Sequence, residues 1–271
     1  MQLQNAKQRF EAQGLKVAAI SYDSEAIMKE FASRHKIDVP LLGDPESKVL
    51  RSFHVLNEQA TGFTKGMAFP GYYYIDAEGV IREKYFEENY VNRFTPNNVI
   101  GKLFPELSEE VRQKVDAPHL ALTLGQTDRV GIPGSRISLV AEIELPADTH
   151  VYAPGVKGYK PIELIVQVSP GIELASVTYP QAKTLYLEAI KEQVPVFEGK
   201  FKIVQDVKLA ASKEIFSSLG SKGKSIQITG ELKYQACDKT TCYVPTTIPV
   251  SWQVQELPLD TDRSPEFIQH K

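Results

Sequence analysis

A chain of 271 residues, 42% hydrophobic and 24% charged, holds enough apolar material for two ordinary domains. A formal net charge of -3, with no run of six like charges, offers no basic face to nucleic acid or anionic lipid. Apolar runs such as 17–20 and 139–141 fall far short of the roughly 18 residues of a membrane span, and the first residues are polar rather than the apolar core of a leader.

Residues 1–13 carry Leu3, Ala6 and Phe10 at helical spacing and stop at Gly14, a natural C-terminal cap. Residues 15–21 are an apolar run suited to a buried strand. Asp23 or Ser24 can cap a second helix through His35, 39–42 reads as a short strand, and Asp44-Pro45 opens a helix up to about Phe53. Residues 72–75 and 80–86 read as a strand pair turning at 76–79, and 95–104 as a final helix. Such alternation predicts an α/β layer domain over residues 1–104.

Residues 105–118 are charged and polar and read as a linker. From His119 the pattern changes to short alternating runs between Gly, Pro and Asp turns: 120–124, 137–145, 162–168, 201–209, 226–233 and 248–254. Strands of this kind without a long helix predict a β-sandwich over residues 119–257, followed by a tail at 258–271.

Cys237 and Cys242 are the only cysteines. A disulfide needs Cα atoms about 4.4–6.8 Å apart, whereas five extended steps would separate them by about 17 Å. The chain must therefore turn back between them. Residues 225–233 and 246–254 alternate like strands, so 238–241 reads as a hairpin loop across which a Cys237–Cys242 bond can form. So small a ring adds about 2 kcal/mol on the chain-entropy account, little beyond what the hairpin already constrains. A dithiol at an exposed turn is open to attack by another protein's thiolate. Spacing alone leaves both a structural staple and thiol–disulfide exchange open.

Two resemblances follow from these residues. In residues 1–104, Gly-Leu-Lys-Val-Ala-Ala-Ile-Ser-Tyr-Asp-Ser, the run Val-Pro-Leu-Leu-Gly-Asp, and Phe-Pro-Gly-Tyr-Tyr-Tyr-Ile-Asp with Gly79 resemble the later part of an AhpC/TSA-type redoxin. That resemblance implies a thioredoxin-like fold in which Pro70 is cis and faces a reactive thiol. It also implies a reactive residue ahead of the first helix, where this chain has no cysteine. The expectation is an N-terminally truncated redoxin whose missing active-site residue, Cys or selenocysteine, stays open. Peroxide reduction and antioxidant activity then belong to an intact parent rather than to this chain.

Residues 119–257 resemble the N-terminal domain of the thiol:disulfide interchange protein DsbD, an immunoglobulin-like sandwich that passes electrons through one cysteine pair. Tyr-Gln-Ala-Cys-Asp-Lys-Thr-Thr-Cys-Tyr-Val-Pro carries this likeness, supported by Thr-His-Val-Tyr-Ala-Pro at 149–154 and Gly-Tyr-Lys-Pro at 158–161. It implies a catalytic pair Cys237 and Cys242, supported by Tyr234, Gln235, Tyr243, Pro245, Tyr152 and His150, and shielded by a loop at 186–197. It also implies a thiol- or disulfide-bearing protein partner and an extracytoplasmic, periplasm-like location. The runner-up is a non-catalytic binding module carrying a structural disulfide.

The five histidines, His35, His54, His119, His150 and His270, have no metal-ligand spacing, and no cofactor is implied. There is no Gly-rich phosphate loop after a strand and no Ser-centred nucleophile elbow. Oligomeric state is not legible.

Overall fold

The computed structural model describes residues 2–107, 111–187, 191–260, 262 and 265. They fall into two compact units: one runs to Glu106 and takes in the described residues from Leu259 onward, and the other is Leu107–Pro258.

The first unit orders α1 (Gln2–Glu11), β1 (Ala19–Ser21), α2 (Glu25–His35), β2 (Leu41–Gly43), α3 (Lys48–Ser52), β3 (Gly71–Ile75), β4 (Ile81–Phe86), β5 (Arg93–Phe94) and α4 (Pro96–Leu103). Its helices start where side chains can cap them. Ser24 accepts from the Ile27 N–H, and Thr95 accepts from Asn98 N–H just ahead of Pro96. The Asp44 carboxylate accepts from Lys48 and Leu50 N–H groups, so α3 begins three residues later than the Pro45 signal suggested. β1 pairs in parallel with β2, and only its last three residues find ladder partners, which shortens the strand expected at 15–21. β3 pairs antiparallel with β4, turning on Asp76. Gly71 lies so close to Phe86 and the Tyr85 carbonyl that an added Cβ would sit 2.3 Å from both.

Pro70 departs from its expected geometry. No peptide bond among the described residues is cis, so the Phe69–Pro70 bond is trans. Trans is the intrinsically preferred isomer, and the Pro70 carbonyl simply extends the β3–β4 ladder by accepting from Glu87 N–H.

The second unit orders β6 (Val111–Val115), β7 (Ala121–Gln126), β8 (Val130–Gly131), β9 (Ser135–Glu144), β10 (His150–Tyr152), β11 (Glu163–Val166), β12 (Ile172–Thr178), β13 (Lys183–Leu187), β14 (Glu192–Glu198), β15 (Lys200–Leu209), α5 (Lys213–Ser218), β16 (Lys224–Tyr234), β17 (Ala236–Cys237) and β18 (Thr246–Glu256). One sheet runs β12-β15-β9-β7-β6, a second β11-β16-β18-β8, and a third β13-β14-β10-β17. Alternate residues of the first two sheets meet in one core: Ile137, Leu139, Ile203 and Val207 from one, Ile228, Leu232, Val250 and Trp252 from the other. Period-two alternation in β16 and β18 thus reads out directly as one buried and one solvated face.

Two expectations change here. The stretch 105–118 is not a plain linker, because Val111–Val115 is a strand that pairs with β7 over five residues. Its polar Arg112 and Lys114 lie exposed at the sheet edge, which is why it reads as linker in sequence. Of the tail expected at 258–271, Pro258 closes the second unit and the described residues from Leu259 onward belong to the first, with Asp260 3.6 Å from His35 Nε2. No described helix is long and apolar enough to cross a membrane.

Candidate functional site

β16 and β18 pair over eleven residues, ending at Tyr234 and Thr246. Between them the chain leaves the second sheet at Gln235 and joins the third as β17, where Cys237 sits opposite His150 and Ala236 opposite Val151. The excursion closes on itself. Cys237 and Cys242 are disulfide-bonded with Cα atoms 4.0 Å apart, Asp238 N–H donates to the Thr241 carbonyl, and Tyr243 N–H donates to that of Ala236. The four-residue turn expected at 238–241 is present.

Asp238 organises this turn. One carboxylate oxygen accepts from Thr240 and Thr241 N–H groups at 2.7 Å each, and the other from the Tyr243 hydroxyl at 2.8 Å. These donors favour the charged form and hold the carboxyl well below the usual range. The same bond pushes the Tyr243 phenol up. Tyr243 also stacks on His119, centroids 3.7 Å apart and planes 7° from parallel, and its carbonyl accepts from Gln235 Nε2. Tyr234 anchors the base of the turn through its hydroxyl, which donates to Pro118 O at 2.7 Å; burial pushes that phenol up to about 12.

The two sulfurs meet different surroundings. Cys237 is 1% exposed and packs in a small apolar cluster with Tyr152, Val194 and Val196. Cys242 is exposed, as are Val244 and Pro245 beside it. The Tyr152 hydroxyl lies 3.7 Å from Cys242 Sγ and 3.8 Å from Cys237 Sγ. Sulfurs in a disulfide carry no proton, so the hydroxyl is the donor to both. Burial pushes its phenol up, keeping the donor protonated. The Tyr152 ring packs 4.3 Å from that of Tyr159, whose hydroxyl donates to Glu192 at 2.7 Å. His150 lies edge-on to Tyr152, and burial lowers its pKa against the opposing pull of Glu198 and Asp238, which leaves the ring neutral at pH 7.

Six of the sequence-singled residues therefore gather around the pair: Tyr152, His150, Tyr234, Gln235, Tyr243 and Pro245. Pro70 lies in the first unit and is no part of this cluster. The shield expected at 186–197 is mainly strand: Tyr186 belongs to β13 and Glu192–Glu198 is β14, with 188–190 outside the described residues. Val194 and Val196 alternate inward toward Cys237, which gives the segment strand character. Asp238, His119 and Glu192 were not singled out in sequence. Only Asp238 carried a readable signal, an Asp at the start of a turn whose carboxylate can reach backbone N–H groups two and three residues on.

Residues 121–251 match the family model for the thiol:disulfide interchange protein DsbD, N-terminal domain. Residues 1–84 match the AhpC/TSA family model. The chain is thus a redoxin-like segment followed by a DsbD-N-like segment. Among solved structures, it is similar to the N-terminal periplasmic domain of ScsB from Proteus mirabilis, at 11% identity and TM-score 0.36 over 52% of this chain. The chain spans about half of that domain's length (49%). It is also similar to the reduced Neisseria meningitidis DsbD N-terminal domain, at 12% identity and TM-score 0.30, covering 44% of this chain and 78% of that one. No curated protein sequence is similar enough to count as a match.

Proposed function

We propose that the chain is a thiol–disulfide oxidoreductase that exchanges electrons with a thiol-bearing partner protein through Cys237 and Cys242. The asymmetry of the pair carries this reading: one sulfur is exposed on a turn, the other is buried, and a tyrosine hydroxyl faces both.

A partner thiolate attacks Cys242 Sγ, the accessible atom. A partner–Cys242 disulfide forms, the Cys237–Cys242 bond breaks, and its electron pair remains on Cys237 as a thiolate that Tyr152 stabilises by donating a hydrogen bond. A second partner thiolate then attacks the partner sulfur of the mixed disulfide, and Cys242 leaves as thiolate. Two partner thiols become one disulfide, and the chain holds two reduced cysteines after taking protons from solvent. Run in reverse, Cys242 is the attacking thiolate on a partner disulfide.

The first unit is read as thioredoxin-like, supported by the match over residues 1–84 and by the parallel β1–β2 and antiparallel β3–β4 pairs. No cysteine lies in the matched segment, so peroxide turnover by this chain is not expected. A formed disulfide and the likeness to the DsbD N-terminal domain support an extracytoplasmic location.

Trapping tests the exchange. With Cys237→Ser, Cys242 should form a mixed disulfide with a small disulfide reagent in the folded protein, whereas Cys237 in Cys242→Ser should react slowly. A pair that resists mild dithiol, with a reduction potential below about -300 mV, would make the bridge a structural staple and the unit a binding module.

A further inference from the structure

Cys237 gains a proton when the pair is reduced and must lose it again when the bond re-forms, yet it is 1% exposed and packed among Tyr152, Val194 and Val196. A thiol buried in apolar surroundings holds its proton more tightly than a free one, so the closing step is slow unless a base stands beside it. His150 is placed for this. It lies directly opposite Cys237 in the β10–β17 ladder, and cross-strand partners project to the same face with Cβ atoms about 4.5–5.5 Å apart. It is 6% exposed, and its Nε2 is buried with no hydrogen-bond partner among the described residues.

On the exchange reading given above, we propose that His150 Nε2 takes the proton of the Cys237 thiol as the disulfide closes. An unpaired buried nitrogen is an exception among native structures. The disulfide form holds no S–H, so the donor that Nε2 would accept from exists only after reduction. In the oxidising direction, Cys242 first attacks a partner disulfide and releases one partner thiolate. Cys237 Sγ then attacks Cys242 Sγ as its proton passes to Nε2. The Cys237–Cys242 bond forms, the Cys242–partner bond breaks, and the second partner thiolate leaves with the electron pair. The imidazolium returns its proton to solvent.

The groups around His150 suit a transient positive charge. Glu198 is its ladder partner on β14, with Lys183 Nζ 3.5 Å from the carboxylate, and Asp238 follows Cys237 on the turn, held by Tyr243. Lys239, next on the turn, is engaged by Asp148 at 2.8 Å, and Tyr152 on the same strand keeps its proton. The two carboxylates favour the imidazolium, while burial keeps the resting ring neutral and its lone pair free.

One equivalent of 4,4′-dithiodipyridine, mixed with the fully reduced chain by stopped flow, releases coloured thiopyridone twice, once for each step. In Cys237→Ser only the first release remains, which isolates Cys242. His150→Gln should leave the first release unchanged and slow the second at least about tenfold at pH 7. Its second-step rate should climb with pH as the thiol ionises unaided, whereas the wild-type rate levels off once the imidazole is neutral. Nitrogen NMR of the wild type needs no variant: His150 Nε2 should be the unprotonated ring nitrogen in both redox forms and should shift on reduction, when it accepts from the Cys237 thiol. The proposal is overturned if both releases slow alike, if the second is unchanged or keeps the wild-type pH profile, or if Nε2 carries the proton in the reduced form. A first release absent from both wild type and Cys237→Ser would overturn the exchange reading itself, and this step with it.

Discussion

Tyr243 and Asp238 clasp the cysteine turn: the phenol hydroxyl donates to one carboxylate oxygen at 2.8 Å while the other oxygen holds the Thr240 and Thr241 N–H groups. The clasp closes a ring that would otherwise rest on the disulfide and two backbone hydrogen bonds. When the disulfide is reduced, the clasp and those two backbone hydrogen bonds remain to hold Cys242 near Cys237.

Asp238→Asn should therefore lower the melting temperature and make the reduced protein slower to reoxidise. The effect has a definite pH window. The folded-state pKa of Asp238 is depressed, so its contribution is present above the unfolded value near about 3.9 and is lost as pH falls through the folded one. Wild type and variant should thus differ most near neutrality and converge in acid. An equal gap at pH 7 and pH 3 would show that the clasp does not depend on the charge.

Tyr152→Phe removes the hydroxyl that faces both sulfurs and keeps the ring packed on Tyr159. Losing a hydrogen bond to a developing thiolate costs on the order of 1.5 kcal/mol, so exchange should slow by about tenfold. The rate–pH profile of the reduced protein should also move to higher pH, because the thiolate loses a donor. Stopped-flow reaction with a small disulfide measures both. A uniform drop in rate with an unmoved profile would point to altered packing instead.

Much of this site was legible in the sequence because it depends on local chemistry. A four-residue turn between two alternating strands fixes the cysteine pair, and Tyr234, Gln235 and Tyr243 follow within a few residues of it. What escaped depends on contacts across the sandwich. His119 lies more than a hundred residues from Tyr243 yet stacks on it, and Glu192 finds Tyr159 only because β14 runs beside β10. Strand β6 was hidden for a different reason. An edge strand with only its first and last side chains partly covered, Val111 and Val115, carries no alternating signal strong enough to separate it from linker.

Glu256 offers a second pH-dependent test, of opposite sign. Its side chain is fully buried, its carboxylate oxygens make no hydrogen bond, and Lys224 Nζ stands 3.3 Å away. Burial raises its pKa despite the lysine. A raised carboxyl favours the folded state while protonated, so stability should fall as pH rises from the unfolded value, near about 4.3, through the folded one. Glu256→Gln should flatten that slope and be the more stable protein at pH 8. Parallel stability curves for the two proteins from pH 4 to pH 8 would mean that Lys224 compensates the burial fully.

The two units should differ most in what they can do alone. Residues 107–258 keep all three of the unit's sheets and the large core built around Ile137, Leu139, Ile228 and Leu232, so this fragment should melt cooperatively as a monomer. Starting at residue 119 instead removes β6, strips a five-residue ladder from β7 and uncovers Leu122 and Leu124, and it should cost several degrees of melting temperature. Residues 1–104 are poorer in both respects. β1 pairs only with β2, and β3 only with β4, within the described part of that unit, and two-stranded sheets are marginal in water. Ile20 and Leu42, 41% and 52% exposed on β1 and β2, add apolar surface that packing within the unit does not cover. In isolation this fragment should give a broad, low-temperature transition, bind a dye that reports exposed apolar surface, and aggregate as its concentration rises. A sharp, concentration-independent melt of 1–104 would show that its helices α1 and α4 supply enough core to hold both strand pairs.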